Sequence, residues 1–184
     1  MKALQLVATR TMALAHVPKP QDLGPDDALI RVKATGICGS DLHYYRGEPA
    51  GNSPLAYPFI MGHEFAGVVE AVGAHVTNVR PGDRVAVDPA MPCGRCEFCL
   101  EGNPNFCTTM RFSGSPGVQG SLQDYVIQPA HTAFPMPDSM TFVQGAILEP
   151  LGVALHSLNL GKVHLADTVA VIGGGPIGLM IAEL

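Results

Sequence analysis

The sequence has no long apolar run and no cluster of basic residues. No uninterrupted apolar stretch reaches the length that a bilayer crossing needs. The apolar part of its first residues, MKALQLVATRT, is too short for a secretory signal. Lys and Arg total 11 against 16 Asp and Glu, for a net charge of −5, which argues against nucleic acid or an anionic membrane as a partner. We therefore expect a cytoplasmic protein.

Helical patterns are also scarce over the first two thirds of the chain, where short apolar segments alternate with turn residues. Ile30, Val32 and Ala34 alternate with polar neighbours, as in a half-buried strand. The 21 Gly and 16 Pro separate such segments, and RPGD at 80–83 predicts a turn between two of them. Frequent short strands of this kind predict a mainly β, barrel-like domain over residues 1–149.

The pattern changes near residue 150. Pro150 and Gly161 suit the first turn and the end of a helix, and apolar residues recur between them at the spacing of one helical face. These residues are Leu151, Ala154, Leu155 and Leu158. The stretch TVAVIGGGPIGLMIAEL then predicts an apolar strand, a glycine turn and the opening of a second helix. We interpret residues 150–184 as the first β-α unit of an α/β domain.

The glycine turn matches a dinucleotide-binding pattern. Gly173, Gly175 and Gly178 form G-x-G-x-x-G directly after the predicted strand. With Pro176 and Ile177 they are the predicted contacts to a cofactor pyrophosphate at a helix N-terminus. The alternative is a glycine-rich loop without a ligand. The acidic residue that would distinguish NAD from NADP is expected beyond residue 184.

Four of the five cysteines lie within sixteen residues, PCGRCEFCLEGNPNFC. These are Cys93, Cys96, Cys99 and Cys107. Four thiolates can complete a tetrahedron around Zn²⁺, which makes a structural site. An iron–sulfur cluster and disulfides are the alternatives, but the bacterial ferredoxin run places its fourth cysteine three residues on and before a proline. Here the interval is seven residues and Thr108 follows. A zinc ribbon that binds nucleic acid is disfavoured by the charge.

A second group of donors is spread along the chain. Cys38, His63 and a carboxylate, with Glu64 and Glu149 as the candidate acids, would form the mixed donor set of a catalytic zinc that keeps one position open. Taken singly, each has a structural explanation, such as a core thiol or a helix N-terminal acid. Spacing alone leaves both interpretations open. The remaining histidines show no ligand spacing: His16, His75, His131, His156 and His164.

The motifs taken together resemble the zinc-dependent medium-chain dehydrogenases. They occur in the family's order along essentially the whole chain: GICGSDLHYY, GHEFAG, GDRVAV, PCGRCEFCLEGNPNFC, GAILEPLGVALH and VAVIGGGPIG. CGSDLHYY, MRFSGS and Glu149 are most similar to the sorbitol and L-idonate 5-dehydrogenase branch. The resemblance implies a GroES-like β domain that binds one catalytic and one structural Zn²⁺, followed by a Rossmann domain that binds NAD or NADP.

The resemblance also implies the ligands of the catalytic metal. Cys38 and His63 match zinc ligands. Glu149 stands where alcohol dehydrogenases have a third ligand, and Glu64 matches an acid that binds zinc in sorbitol dehydrogenase-like enzymes. His63 and Glu64 would point to opposite faces of a regular strand, so the chain must bend for both to reach one metal. We expect one acid to bind directly and the other to hold the metal-bound water.

Further roles follow from the same resemblance. Ser40 and His43 match a proton relay, and Asp41 matches the carboxylate that orients the histidine ligand. Tyr44 matches a residue that lines the polyol pocket. The alternative for Ser40 and Asp41 is a turn or a helix cap after Gly39.

The implied activity is oxidation of a small-molecule secondary alcohol, a polyol or sugar acid, with hydride transfer to NAD or NADP. Ser40, His43 and Glu149 are the expected catalytic residues. A second hypothesis is an isolated GroES-like zinc-binding domain, and we expect no turnover from the 184-residue chain alone. A partner subunit that supplies the missing half is a third hypothesis, and a homo-oligomer stays open.

Overall fold

The computed structural model describes residues 1–48 and 54–184, and antiparallel strands dominate it. The strands are β1 (Lys2–Ala8), β2 (Thr11–His16), β3 (Asp27–Thr35), β4 (Phe65–Val72), β5 (Arg84–Val87), β6 (Ala90–Met91), β7 (Arg111–Phe112), β8 (Tyr125–Pro129) and β9 (Ala133–Pro135). The helices are α1 (Gly39–Tyr45), α2 (Glu97–Leu100), α3 (Phe142–Leu160) and α4 (Pro176–Glu183). The predicted mainly β class is confirmed.

A five-stranded sheet in the order β8-β3-β4-β5-β9 forms the centre of the molecule. Ile30 is buried while Arg31 and Lys33 are exposed, which confirms the alternation predicted for β3. Phe65 in β4 and Val85 in β5 are fully buried in the main core. The 80–83 turn before β5 is also confirmed, because Asp83 N–H donates to the Arg80 carbonyl at 3.1 Å and Gly82 has a φ of +95°.

Two antiparallel ribbons flank this sheet. β1 and β2 pair with each other, and Leu6 of β1 bridges to Phe59. Leu6 and Phe59 join Tyr44 and Met61 in a second buried cluster. β6 and β7 form the other ribbon, at the base of residues 92–107, which we call the four-cysteine lobe. The ribbons thus hold the segments that contain the predicted metal ligands against the sheet.

The prediction that a helix begins at Pro150 is wrong. Helix α3 begins at Phe142 and contains Pro150 in its interior. Its start is fixed by Thr141, whose side chain accepts the backbone N–H of Gln144 while the Gln144 side chain reaches back to Thr141. This capping box is visible in the sequence as TFVQ, and it outweighs the proline as a start signal. The boundary between 149 and 150 therefore lies inside a helix.

The strand predicted for TVAVI is also wrong. Residues 168–172 form no strand in the part of the chain that the structure describes. An extended segment becomes a strand only when a neighbour pairs with its backbone, and no described segment does so here. Val169, Val171 and Ile172 are correspondingly exposed. The predicted Rossmann unit is represented only by the glycine loop and α4.

None of the helices in the described ranges has both the length and the apolar character that a membrane span requires.

Gly67 provides a test of the sheet packing. A Cβ there would lie 2.3 Å from the Arg31 carbonyl oxygen in β3, so Gly67→Ala must push two paired strands apart. We expect the free energy of unfolding to fall by about 1–3 kcal/mol, measured by urea denaturation.

Gly152→Ala is the matched control, because a Cβ there meets nothing within 4 Å in the middle of α3. It should stabilise the chain by up to about 1 kcal/mol, since alanine favours a helix over glycine. Equal effects from the two substitutions would contradict the close approach of β3 and β4.

Candidate metal centres

The structure brings the four lobe cysteines together. Their sulfur atoms all lie within 4.8 Å of one another. Cys96 Sγ is 3.5 Å and Cys93 Sγ is 4.0 Å from Cys99 Sγ. A zinc ion with Zn–S bonds of about 2.3 Å has its ligands about 3.8 Å apart along the tetrahedron edge. The four side chains therefore fit one tetrahedral ion.

Backbone N–H groups point at two of these sulfurs. Cys96 N–H donates to Cys93 Sγ, and Cys93 N–H donates to Cys107 Sγ, both at 3.3 Å. Donation from the N–H groups of Arg95 and Cys96 lowers the pKa of Cys93 to about 6. The N–H of Cys93 likewise lowers the pKa of Cys107. The backbone is arranged to favour thiolates, the form that binds metal.

Cys99 shows the opposite effect. Its burial, followed by the neighbouring Cys96 thiol, raises the pKa of Cys99 to about 12. A cation at the centre of the four sulfurs would offset this cost. All five cysteines are free in the structure, and a multi-iron cluster would place its thiolates on separate iron atoms. The arrangement favours a single ion over a disulfide or an iron–sulfur cluster.

The second predicted ligand group also converges. Ligand atoms of Cys38, His63 and Glu64 lie within 4.8 Å of one another. Cys38 caps the N-terminus of α1, and the other two residues immediately precede β4. The required bend before β4 occurs at Gly62, whose φ of +94° suits glycine. A thiol, an imidazole and a carboxylate form the donor set of a zinc site with an open position.

Gly36 makes room for this cluster and was missed in the sequence analysis. A Cβ at Gly36 would lie 2.1 Å from the Glu64 carboxylate. The backbone N–H of Gly36 also donates to the Glu64 carbonyl at 2.7 Å. The available signal was a glycine two residues before Cys38, at the end of a predicted strand. Its absent side chain allows Glu64 to turn toward the other ligands.

Asp41 connects the two ligand segments through their backbones. Its Oδ2 accepts the N–H of Cys38 at 2.9 Å, and its Oδ1 accepts the N–H of Gly62 at 3.1 Å. His63 Nδ1 is 3.9 Å from Oδ1, too far for a hydrogen bond, and is buried without a partner in the described residues. The predicted contact to the histidine ring is therefore not formed, and the carboxylate holds the flanking peptide groups.

Glu149 lies outside the cluster of Cys38, His63 and Glu64 but near it. It is half-buried on α3. Burial, with the charges of Glu64, Asp88 and Asp41, raises the pKa of Glu149 to about 7. Glu149 also lines a cleft of about 370 Å³ together with Asp88, Phe134 and other residues of β5 and α3. The charge of Glu64 acts on Glu149, so this cleft lies near the cluster.

The predicted relay and pocket residues all lie on α1. Ser40 is half-buried, and the exposed His43 contacts Glu48. No hydrogen bond is present between Ser40 and His43, both of which are described. Tyr44 is buried in the second cluster, where its ring meets Phe59 edge-on at 5.7 Å. Burial, followed by the charges of Asp41 and Cys38, raises the pKa of Tyr44.

The glycine loop has the local form expected of a dinucleotide turn. Gly173 has a φ of +108°, and Gly175 is the N-cap of α4, with Pro176 in the first turn. A Cβ at Gly178 would lie 1.9 Å from the Gly173 carbonyl oxygen, so the helix packs directly on the loop. Ile177 lines the groove between α3 and α4. The loop is formed although the preceding strand is not.

Phe112 is a second residue beside the candidate site that the sequence analysis missed. Its ring lies against the His63 ring, with centroids 5.4 Å apart and planes inclined by 58°. Nothing in the local pattern of MRFSGS indicates which side chain it would meet, because the contact is long-range.

The family model for the alcohol dehydrogenase GroES-like domain matches residues 24–138. The chain belongs to this family. The match covers the sheet and both candidate metal centres, and it confirms the resemblance to the zinc-dependent medium-chain dehydrogenases.

Similar proteins support the sorbitol and L-idonate branch. Sorbitol dehydrogenase of Bacillus subtilis is 43% identical over 180 residues, which are 98% of this chain and 51% of that protein. L-Idonate 5-dehydrogenase of Vitis vinifera is 40% identical over 178 residues, 97% of this chain and 48% of that protein. A solved alcohol dehydrogenase of Escherichia coli CFT073, in complex with NADH, has 37% identity and a TM-score of 0.89, covering 100% of this chain and 52% of that one. The chain spans about half the length of these relatives.

Metal analysis tests the two centres. We expect two zinc ions per chain by elemental analysis, because each ligand group fits one ion. We call the group of Cys38, His63 and Glu64 the mixed site. His63→Ala should leave one zinc ion, since it removes a ligand from the mixed site only. His156→Ala, which changes an exposed histidine outside both groups, should leave two. Iron in place of zinc, or no loss in His63→Ala, would contradict the assignment.

Substitution of Asp41 tests the link between the ligand segments. Asp41→Asn has the same shape but replaces one accepting oxygen by an amino group, which leaves a buried N–H without a partner. We expect the free energy of unfolding to fall by about 1.5–3 kcal/mol in urea denaturation.

Asp26→Asn is the control, because Asp26 is an exposed aspartate whose side chain pairs with the exposed His75. It should change the stability by less than about 0.5 kcal/mol. An Asp41→Asn variant as stable as this control would show that the two hydrogen bonds do not join the segments.

Proposed function

We propose that this chain provides the metal-binding half of a zinc-dependent dehydrogenase that oxidises a secondary alcohol of a polyol or sugar acid and reduces NAD or NADP. The supporting observation is the cluster of Cys38, His63 and Glu64 beside the cleft that Glu149 lines. The named relatives act on sorbitol and L-idonate. Because the chain spans about half of each, the activity belongs to the whole protein.

Cys38, His63 and Glu64 would hold the catalytic zinc, and the four lobe cysteines the structural one. When bound in the mixed site, zinc supplies Lewis-acid chemistry that makes an alcohol more acidic. Of the two acids, Glu64 is the one whose carboxylate lies within 4.8 Å of the ligand atoms of Cys38 and His63. Glu149 lines the neighbouring cleft, and a carboxyl group with a pKa of about 7 can hold a water or a substrate hydroxyl by hydrogen bonding.

Residues of α1 would carry the proton of the substrate hydroxyl to solvent. Ser40 is half-buried two residues after Cys38, and His43 is exposed one turn later. The hydroxyl can pass a proton outward, and His43 can exchange it with water because its side chain is 61% exposed. Glu48 contacts His43 Nδ1, and this contact lowers the pKa of Glu48. Tyr44, three residues after Asp41 on α1, remains the proposed polyol contact.

The glycine loop is the proposed cofactor contact. Gly173, Gly175, Pro176, Ile177 and Gly178 lie at the start of α4, where backbone N–H groups suit a pyrophosphate. The Escherichia coli relative binds NADH. We accordingly propose a division into a GroES-like domain, residues 1–149, and the start of a nucleotide-binding domain, residues 150–184, with α3 crossing the boundary.

A second candidate function is a zinc-binding module without turnover of its own. It is favoured by the exposed apolar segment 168–172, which no described strand covers. In this form the chain would bind both metals and hold the glycine loop without a sheet behind it. The two candidates differ in whether an alcohol enters the mixed site.

Replacement of zinc by Co²⁺ tests the proposal without any cofactor. We expect sorbitol or L-idonate to change the visible absorption of Co²⁺ at the mixed site, because this absorption depends on the groups next to the ion. Cys38→Ser is the control and should abolish the response. No spectral change at saturating polyol would contradict the dehydrogenase proposal.

A turnover assay tests the module hypothesis. We expect no reduction of NAD or NADP by the zinc-loaded 184-residue chain with polyols, measured as absorbance of the reduced nicotinamide. Formation of reduced cofactor would contradict the module hypothesis, and would show that residues 173–178 bind the cofactor without a paired strand.

A further inference from the structure

We propose that Phe112 is a positioning residue that couples the two candidate metal sites, because it joins the base of the four-cysteine lobe to His63. This inference rests on the proposed function, since it requires a metal at the mixed site. It assigns the lobe a second role: the ion held by the four cysteines sets how tightly the mixed site holds its own ion.

The contact between the two rings is the first step. His63 is only 5% exposed, and its Nδ1 has no hydrogen-bond partner among the described residues. A histidine ligand is usually oriented by a hydrogen bond from its second nitrogen. Here the Phe112 ring, with its centroid 5.4 Å from that of His63, limits the orientation of the imidazole by packing.

The position of Phe112 depends in turn on the lobe. Phe112 pairs with Ala90, and Arg111 with Met91, in a ribbon of two residues per strand. Such a ribbon is too short to be stable alone. Cys93 follows Met91 closely, and Cys107 lies shortly before Arg111, where its carbonyl accepts Met110 N–H at 3.3 Å. A metal bound by both cysteines therefore closes the ribbon at its base.

The chain after Phe112 fixes the backbone beside His63. Gly120 N–H donates to the Ile60 carbonyl at 2.7 Å, and Ser121 N–H donates to the Gly62 carbonyl at 2.8 Å. A Cβ at Gly114 would lie 2.5 Å from that same Gly62 oxygen. A shift of the ribbon thus reaches both the ring of His63 and the peptide that precedes it.

The test measures Co²⁺ affinity of each site in the full chain by competition with a chelator. The sites are distinguishable because charge-transfer absorption grows with the number of thiolate ligands, four in one site and one in the other. We expect Phe112→Leu to weaken binding at the mixed site about tenfold and to leave the four-thiolate site unchanged. Phe112→Tyr, which keeps the ring, should retain the mixed-site affinity within about threefold of the original chain.

Phe106→Leu is the matched control. Phe106 lies in the lobe, where its ring contacts Phe98 rather than a candidate ligand. It should leave both affinities unchanged. Equal loss in Phe106→Leu and Phe112→Leu, equal loss in Phe112→Tyr and Phe112→Leu, or no loss in Phe112→Leu would each overturn the proposed role.

A second experiment tests the coupling itself. Cys96→Ser combined with Cys99→Ser removes two lobe ligands and should weaken the mixed site by a similar factor. Adding Phe112→Leu should then cause little further loss, because both changes act through one contact. Independent, multiplicative losses would refute the coupling. A wild-type chain that binds no metal at the mixed site would instead refute the proposed function.

Discussion

The candidate catalytic site depends on one buried carboxylate. Cys38 and His63 belong to segments separated by more than twenty residues, and Asp41 accepts a backbone N–H from each segment. Its side chain is 1% exposed, and a buried carboxyl group is tolerated only when hydrogen bonds replace its lost contacts with water. The two peptide groups provide that compensation. The two hydrogen bonds that allow Asp41 to be buried therefore also set the distance between the segments that contain the metal ligands.

Close backbone packing supports this arrangement on the other side. Gly114 and Gly120 pack directly on the backbone of Met61 and Gly62. These contacts cannot relax when a Cβ is added, because the opposing atoms are backbone. The site is accordingly rigid where His63 and Glu64 leave the chain, while α1 presents Ser40 and His43 toward solvent. A rigid ligand set beside the exposed His43 agrees with the proton release that we propose.

Local patterns predicted the parts of this site that are close in sequence. The spacing from Cys93 to Cys107 identified a four-ligand group, and the alternation in β3 identified a strand. Long-range contacts were not accessible: nothing in MRFSGS predicts that Phe112 meets His63, and nothing near Glu149 predicts that Glu64 is the closer acid. Pro150 misled because proline favours a first turn locally, whereas Thr141 and Gln144 had already started the helix. TVAVI misled because a strand needs a neighbour.

The length of α3 bears on how the molecule can be shortened. The helix is buried at several points from its start to its middle, at Gly145, Ala146, Pro150 and Ala154. It therefore packs on the domain as one continuous helix. Truncation after residue 149 would divide this helix near its centre and would remove Gly152, which lines the cleft. A minimal fragment that preserves the scaffold ends after Gly161, where the helix is capped.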